Sequence, residues 1–282
     1  MSAATTVKPS RWKGVAGGLF FVLFGLVIWD GADRRAVDAS RPLTHGPTLD
    51  STKIATASLK VGSFNIHGGK GVDGLRNLAR TAALMTDLDL VGLYEVRATQ
   101  DSQLPNQAAA IASNLHSSWL FAPTERQWWS DYFGNGLIYR VPVRSVTRIP
   151  LVNTRGKAYR NVVLSTVEVQ EKEVHILSVH IDRENDRQQQ LQSVIDLFMS
   201  LREPCVLMGD LNTTEADPLI INLRGLSGVH SPLHESLVGG PPNKTIDWIF
   251  TRGLKTVAAT LVNNEASDHP LIRAEFVPLV DQ

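Results

Sequence analysis

The segment Gly209-Asp210-Leu211-Asn212 places a carboxylate and an amide two residues apart, directly after a short apolar run that begins at Pro204. An apolar run bounded by proline and glycine predicts a buried strand. If the backbone stays extended, Asp210 and Asn212 face the same side, where they would suit a water molecule and a phosphoryl oxygen. The structural alternative is that Asp210 caps a following helix and Asn212 forms an Asx turn.

Five further apolar segments end in, or carry, a polar side chain able to bind a metal ion or a phosphate. These side chains are Asn65, Glu95, His180, Asp247, and the pair Asp268 and His269. Loops at strand ends are where a rigid scaffold presents functional groups. Asp247 lies between Ile246 and Trp248, and a carboxylate buried there is costly unless it is paired. Carboxylates and an amide are ligands for hard ions, so the set indicates Mg²⁺ or Mn²⁺.

Several other chemistries are not indicated. The sequence contains no Gly-x-Ser-x-Gly elbow and no phosphate-binding Gly-Lys-Ser/Thr loop, which weighs against a serine hydrolase and a P-loop nucleotidase. No predicted helix carries two histidines at metal spacing. The single cysteine, Cys205, excludes an intramolecular disulfide and a cysteine zinc cluster.

The elements that position these residues are mixed strands and helices. Several neighbouring strands are predicted to be antiparallel, as at residues 162–169 and 173–179, and helical spacing of apolar residues recurs at 75–87 and 191–198. Many strands are apolar on both faces. We therefore predict an α/β fold in which two sheets pack face to face and helices cover their outer sides.

The N-terminal region differs from the remainder. Lys8, Arg11 and Lys13 precede an apolar run over residues 14–29. We predict a cytoplasmic basic segment (1–13), a membrane anchor or signal segment (14–29), a tether (30–56) and a catalytic domain (57–282). The cations would place the catalytic domain on the non-cytoplasmic side. The alternative is secretion after cleavage of a signal peptide.

Charge constrains the partner only weakly. The 28 basic residues balance 28 acidic residues, and the chain beyond residue 50 has a net charge of about −2, which disfavours non-specific binding of nucleic acid. Six cations and no acid lie between Arg140 and Arg160. This stretch is either an anion-facing patch or the solvated face of a hairpin.

Six short motifs, taken in order, resemble the endonuclease/exonuclease/phosphatase superfamily. They are Ser-Phe-Asn-Ile-His (63–67), Tyr-Glu-Val (94–96), Ser-Val-His (178–180), Gly-Asp-Leu-Asn (209–212), Ile-Asp-Trp-Ile (246–249) and Ser-Asp-His-Pro (267–270). The superfamily includes deoxyribonuclease I-like nucleases, abasic-site endonucleases, bacterial sphingomyelinases and inositol-polyphosphate 5-phosphatases. The resemblance covers residues 58–278 and implies a four-layer α/β sandwich.

The resemblance also implies roles for single residues. Glu95, Asn65 and Asp268 would bind the divalent cation. Catalysis would use His180, Asp210, Asn212, Asp247 and His269. Asn212 and His180 would donate hydrogen bonds to the phosphoryl oxygens, and Asp247 would orient His269. Either Asp210 or His269 would be the general base. Asn135, in Gly-Asn-Gly-Leu, would line the substrate pocket.

The resemblance thus implies a Mg²⁺- or Mn²⁺-dependent hydrolase of phosphate esters, and a phosphodiesterase before other types. The N-terminal apolar run predicts that this hydrolase is membrane-tethered. The substrate would be a nucleic acid, a lipid head group or a small phosphoester. The alternatives are a sphingomyelinase-like lipid phosphodiesterase, a phosphomonoesterase, and a binding module without turnover. No obligate protein partner is indicated.

Overall fold

A computed structural model describes residues 11–47, 57–98, 106–128, 131–156, 158–236 and 245–279 of the chain. Within these residues the chain forms six α-helices and thirteen strands in two sheets. The helices are α1 (Arg11–Ala32), α2 (Leu78–Ala83), α3 (Gln107–Leu115), α4 (Arg187–Ser200), α5 (Pro218–Gly225) and α6 (Pro232–Ser236).

The larger sheet has eight strands among the described residues. In spatial order they are β1 (Arg35–Ala36), β5 (Ser118–Gln127), β6 (Asp131–Tyr139), β4 (Leu90–Ala98), β3 (Leu59–Asn65), β13 (Leu271–Pro278) and β12 (Leu254–Val262), with β2 (Thr44–His45) also on β5. β3 and β4 are parallel, whereas the other pairs are antiparallel.

The smaller sheet has five strands among the described residues. Their order is β11 (Asp247–Arg252), β10 (Cys205–Asp210), β9 (Lys172–His180), β8 (Asn161–Val169) and β7 (Val143–Pro150). Only β9 and β10 are parallel in this set of pairs. Each sheet is therefore mixed and mostly antiparallel, as predicted.

The buried apolar residues form one cluster between the two sheets and one cluster on the outer side of each sheet. Leu90 of one sheet and Val206 of the other belong to one buried apolar cluster, which joins the sheets face to face. Ile111 of α3 packs on the outer side of the larger sheet, and Leu191 of α4 packs on the outer side of the smaller sheet. Strands covered on both faces must be apolar along their whole length. The resulting four-layer α/β sandwich confirms the predicted fold class.

Topology gathers the polar strand ends at one edge of the sandwich. Asn65 ends β3, and the parallel β4 carries Glu95 near its carboxyl end. In the other sheet His180 and Asp210 end the parallel strands β9 and β10 in register. Strand β11 runs antiparallel, so its first residue, Asp247, lies opposite Asp210.

The predicted membrane anchor is wrong. The prediction of a membrane-anchored protein with its catalytic domain on the non-cytoplasmic side depended on that anchor and is wrong as well. In the described part of the chain no helix is long and apolar enough to cross a membrane. The apolar run 14–29 lies in helix α1. At 1.5 Å per residue the apolar run itself extends about 24 Å, which is shorter than the roughly 30 Å of a hydrocarbon core.

Part of the predicted tether pairs with the larger sheet. Strands β1 and β2 both pair with β5. The carbonyls of Asp38, Ala39 and Arg41 accept hydrogen bonds from Nη2 of Arg148. Residues 30–47 therefore lie against the sandwich, which the composition of this segment did not indicate. Residues 48–56 lie outside the described residues.

Candidate active site

Asp210 lies at the end of β10 and is 1% exposed. Its Oδ1 accepts a hydrogen bond of 2.9 Å from the backbone N–H of Asn212, so Asp210 itself forms an Asx turn. The backbone of Asn212 is left-handed, with φ of +44°. The Asn212 amide donates to the carbonyl of Ile181 at 3.1 Å. The two side chains are thus held by a turn and not by an extended strand.

Asn65 joins the two sheets at this edge. Its Nδ2 donates to Oε1 of Glu95 at 3.1 Å and to Oδ2 of Asp210 at 2.9 Å. Glu95 has a φ of +59° and lies in an irregularity of the β4–β6 ladder between Leu93 and Val96. A bulge of this kind redirects a side chain, and here Glu95 turns to meet Asn65.

Asp247 and His269 form a hydrogen-bonded pair beside Asp210. Nδ1 of His269 lies 2.8 Å from Oδ2 of Asp247, and its Nε2 lies 3.9 Å from Oδ2 of Asp210. Ser267 holds the loop: its hydroxyl donates to the Asn65 carbonyl at 2.7 Å and accepts from the His269 N–H at 3.2 Å. The motif containing Ser267 and His269 is thereby tied to the end of β3.

The proximity of these groups changes their acidity. Burial and the charge of Asp247 raise the pKa of Asp210 to about 7, although His269 and Asn65 act in the opposite direction. Burial alone would lower the pKa of His269, but the hydrogen bond and charge of Asp247, with Asp210 and Asp268, raise it to about 9. His269 is therefore a cation at neutral pH, beside a carboxylate that titrates near neutrality.

His180 is the third group that faces Asp210. Its Nε2 lies 3.5 Å from Oδ2 of Asp210. Burial, together with the charges of Arg160 and His269, lowers the pKa of His180 well below its ordinary value, so this imidazole is neutral. The Tyr94 ring packs edge-on at 6.2 Å from the His180 ring. Tyr94 thus supports His180 from the core.

One predicted site residue, Asn135, is not part of this hydrogen-bonded cluster, and Asp268 joins it at its margin, where its Oδ1 accepts a 3.3 Å hydrogen bond from the Ser267 hydroxyl. The Asp268 side chain is 55% exposed and lies 3.1 Å from Nδ1 of His67. Asn135 is buried and donates to the carbonyl and the side chain of Asn161, both at 3.0 Å. Among the described contacts, no hydrogen bond joins Asn135 to Asp210. Every other predicted site residue lies in one connected network at the sandwich edge.

Sequence reasoning did not single out Arg160 or Ser267. Ser267 lies inside a recognised motif, but the hydrogen bond from its hydroxyl to the distant Asn65 carbonyl leaves no sequence signal. Arg160 belongs to the cation-rich stretch 140–160, most of which faces elsewhere: Arg140 donates to the Leu88 carbonyl and Arg144 pairs with Glu168 and Glu173. Of the described cations in that stretch, Arg160 approaches the site.

The donor set fits a divalent cation. Ligand atoms of Asp210, Asp247 and His269 lie within 4.8 Å of one another. In the described chain Oδ1 of Asp247 is buried and has no hydrogen-bond partner. Burial, together with the charge of Asp247, raises the pKa of Asp210. Two buried carboxylates side by side are the electrostatic setting that a cation relieves.

Comparisons with known proteins agree with this geometry. The model of the Endonuclease/Exonuclease/phosphatase family matches residues 62–269. An endonuclease/exonuclease/phosphatase from Beutenbergia cavernae has 23% identity over 79% of this chain and 72% of its own, with a TM-score of 0.65. Humanized D. rerio TDP2 has 22% identity over 79% and 100%, with a TM-score of 0.60.

The human Nocturnin catalytic domain with bound sulfate anion has 19% identity over 79% of this chain and 96% of its own, with a TM-score of 0.60. No curated protein matches the sequence. At these identities the solved structures show the fold alone. Because the family model spans most of the sequence and the sandwich agrees with it, the chain belongs to the endonuclease/exonuclease/phosphatase family, whose members are typically hydrolases of phosphoester bonds.

Proposed function

We propose that this chain is a Mg²⁺- or Mn²⁺-dependent phosphodiesterase. The observation that carries the proposal is the network in which Asn65 links Glu95 to Asp210 while Asp247 holds His269 against the same carboxylate. It combines an acidic site for a cation, a group that titrates near neutral pH and a histidinium. These three components suit the metal-assisted hydrolysis of a phosphate ester.

Glu95, Asn65 and Asp268 would hold the cation, as the family resemblance implies. The Asp210, Asp247 and His269 group is a second candidate, but Nδ1 of His269 already contacts Asp247 at 2.8 Å, which favours a hydrogen-bonding role for that pair. When bound, the cation acts as a Lewis acid on a phosphoryl oxygen.

We assign the remaining catalytic roles to individual side chains. Asp210 accepts a proton from the attacking water, since its pKa of about 7 suits a general base at neutral pH. His269, kept protonated by Asp247, donates a hydrogen bond to a phosphoryl oxygen as negative charge increases there. Neutral His180 and the Asn212 amide contribute further donors, and Asn65 keeps Asp210 in position.

A diester is favoured over other substrates by what related structures bind. TDP2 has been solved with a single-strand DNA product and Nocturnin with a sulfate anion, so related sandwiches bind phosphodiester products or a tetrahedral anion. A sphingomyelinase-like lipid phosphodiesterase is the second candidate. The exposed ring of Trp128 supports it, because exposed aromatic groups are typical of contacts with lipid interfaces.

The test is an assay of the full chain with Mg²⁺ or Mn²⁺ on three substrates: a single-stranded oligonucleotide, sphingomyelin in vesicles and a phosphate monoester. We expect turnover of the oligonucleotide that chelator abolishes and that Glu95→Gln lowers at least about 100-fold. Glu173→Gln, a change at an exposed surface carboxylate, is the matched control.

Metal binding by the same variants separates the two cation sites. Weaker Mn²⁺ binding in Glu95→Gln but not in His269→Gln supports the Glu95 site, and the reverse result supports the Asp210 group. Turnover by Glu95→Gln at the wild-type rate, or equal turnover in chelator, would contradict the proposal. A folded chain that binds metal and hydrolyses none of the three substrates would indicate a binding module.

A further inference from the structure

Three side chains, Arg97, Phe133 and Arg160, form a strip along the rim of the active site, here called the cation strip. The guanidinium carbon of Arg97 lies 5.4 Å from the centre of the Phe133 ring, and that of Arg160 lies 5.6 Å from it. The Phe133 ring is 6.5 Å from the ring of His180. One aromatic ring therefore holds two cations beside a residue that contacts Asp210.

Arg160 faces the carboxylates of the site. Burial lowers its pKa, and the negative charges of Glu125, Asp182, Glu95 and Asp210 oppose that effect. Arginine remains charged in proteins. Within the described part of the chain, Nε of Arg160 is buried and has no hydrogen-bond partner. A buried donor without a partner is destabilising, so an acceptor supplied by a ligand would remove that penalty.

Arg97 occupies the other end of the cation strip. It follows Glu95 by two residues in β4, and its backbone N–H donates to the side chain of Gln107. Its guanidinium makes one long contact, 3.5 Å from Nη1 to Oδ2 of Asp131, and the side chain is 34% exposed. Among the described hydrogen bonds, this contact with Asp131 is the only one that the Arg97 guanidinium makes. Its remaining N–H groups can therefore bind a ligand at the rim.

The two guanidinium carbons are at most about 11 Å apart, because both lie against one ring. A cation that faces the catalytic carboxylates and a second cation farther out match two anions in succession. Arg is the side chain best suited to phosphate, since its planar donors contact two oxygens at once. Sequence-tolerant binding of a nucleic acid strand uses cations arranged in this way.

We propose that Arg160 and Arg97 bind two successive phosphates of one strand, so that the substrate is a nucleic acid strand with a second phosphate beside the one that is cleaved. This inference rests on the proposed phosphodiesterase function and specifies its substrate. Arg160 contacts the phosphate next to Asp210, and Arg97 contacts its neighbour. Phe133 keeps the two guanidiniums separated and in place.

The same strip disfavours a choline lipid. A quaternary ammonium binds over the face of an aromatic ring, but guanidiniums already lie over the ring of Phe133. The positive charge of the choline group would also be repelled by Arg97 and Arg160. A small phosphate monoester has no second anion and cannot use Arg97.

The test is equilibrium binding by calorimetry, with Mg²⁺ and the full chain. The probes are thymidine 3′,5′-bisphosphate, the two thymidine monophosphates and phosphocholine. We expect the bisphosphate to bind at least about 10-fold more tightly than either monophosphate, which corresponds to one charge-assisted hydrogen bond. Arg97→Gln brings that ratio close to one, and Arg97→Lys retains part of it. Arg144→Gln, a surface arginine paired with Glu168, leaves the ratio unchanged.

Each outcome has a distinct meaning. Equal affinity of the wild-type chain for bisphosphate and monophosphates overturns the two-phosphate site, as does a ratio unaffected by Arg97→Gln in a variant with a native circular dichroism spectrum. Phosphocholine binding as tightly as the bisphosphate would indicate a lipid substrate instead. Because binding requires no turnover, tight bisphosphate binding without oligonucleotide hydrolysis contradicts the phosphodiesterase proposal and leaves the two-phosphate site supported.

Discussion

At the scale of the residue, the contact between His269 and Asp247 determines the charge of the site. In Asp247→Asn the hydrogen bond can persist but the negative charge is lost, so the His269 pKa should fall from about 9 toward its ordinary value. Histidine titration by NMR in chelator measures this change. Asp196→Asn, a change on the exposed face of α4, is the control. An unchanged His269 pKa in Asp247→Asn would mean that another group charges the ring.

Turnover should depend on two further single residues. Asp210→Ala and His269→Ala each remove a group that the proposed chemistry uses, and each is expected to lower turnover at least about 100-fold. Asp196→Ala is the matched control for the loss of a carboxylate. Hydrolysis of the oligonucleotide is the measurement, and near-normal rates in either variant would refute the assigned roles.

At the scale of the element, strand β10 depends on a glycine next to Asp210. Gly209 lies opposite Val179 and Trp248 in the two adjoining strands. An added Cβ would lie 2.1 Å from the backbone oxygen of Val179, so the strands would have to separate. We expect Gly209→Ala to lower the free energy of unfolding by about 1–3 kcal/mol and to reduce turnover by displacing Asp210.

Urea unfolding measures the effect of Gly209→Ala. The control is Gly225→Ala, because no atom lies within 4 Å of a Cβ built at Gly225. A surface change of that kind is expected to alter stability by about 0.5 kcal/mol or less. Equal stability of the two variants would show that β9 and β10 tolerate the wider spacing.

The contact between the N-terminal segment and the sandwich is also an element-scale feature. Nη2 of Arg148 donates to three carbonyls of residues 38–41, and Nη1 donates to the carbonyl of Pro123. Arg148→Gln should therefore lower the free energy of unfolding by about 1.5–3 kcal/mol. Arg144→Gln breaks only exposed ion pairs and should cost at most about 1 kcal/mol. Urea unfolding of both variants measures these two losses of stability.

The strand ends were predictable from sequence because each combines an apolar run with one polar residue. Asn65, Glu95, Asp210 and Asp247 were found in this way, as was the sandwich that brings them together. Their mutual geometry was not predictable. The bulge at Glu95 and the left-handed turn at Asn212 are backbone features that have no composition signal, and pairing of residues 35–45 with β5 depends on tertiary contacts.

At the scale of the whole molecule, the site couples stability to pH. The folded-state pKa of Asp210, about 7, and of His269, about 9, both exceed their ordinary values. Each group therefore binds its proton more tightly in the folded chain, and its stabilising contribution is lost as pH rises through that folded-state value. In chelator, Asp210 should make stability decline between about pH 4 and 7, and His269 between about pH 6.5 and 9.

Wild type and Asp210→Asn should therefore differ in the slope of unfolding free energy against pH. The contribution of Asp210 is at most about 1.4 kcal/mol per pH unit, and it is absent in the variant. A divalent cation favours the ionised carboxylate, so Mg²⁺ should flatten the wild-type slope and leave the variant nearly unchanged. Urea unfolding at a series of pH values, in chelator and in Mg²⁺, measures all four slopes. Identical slopes for the two proteins in chelator would show that Asp210 titrates in the folded chain as it does in the unfolded chain.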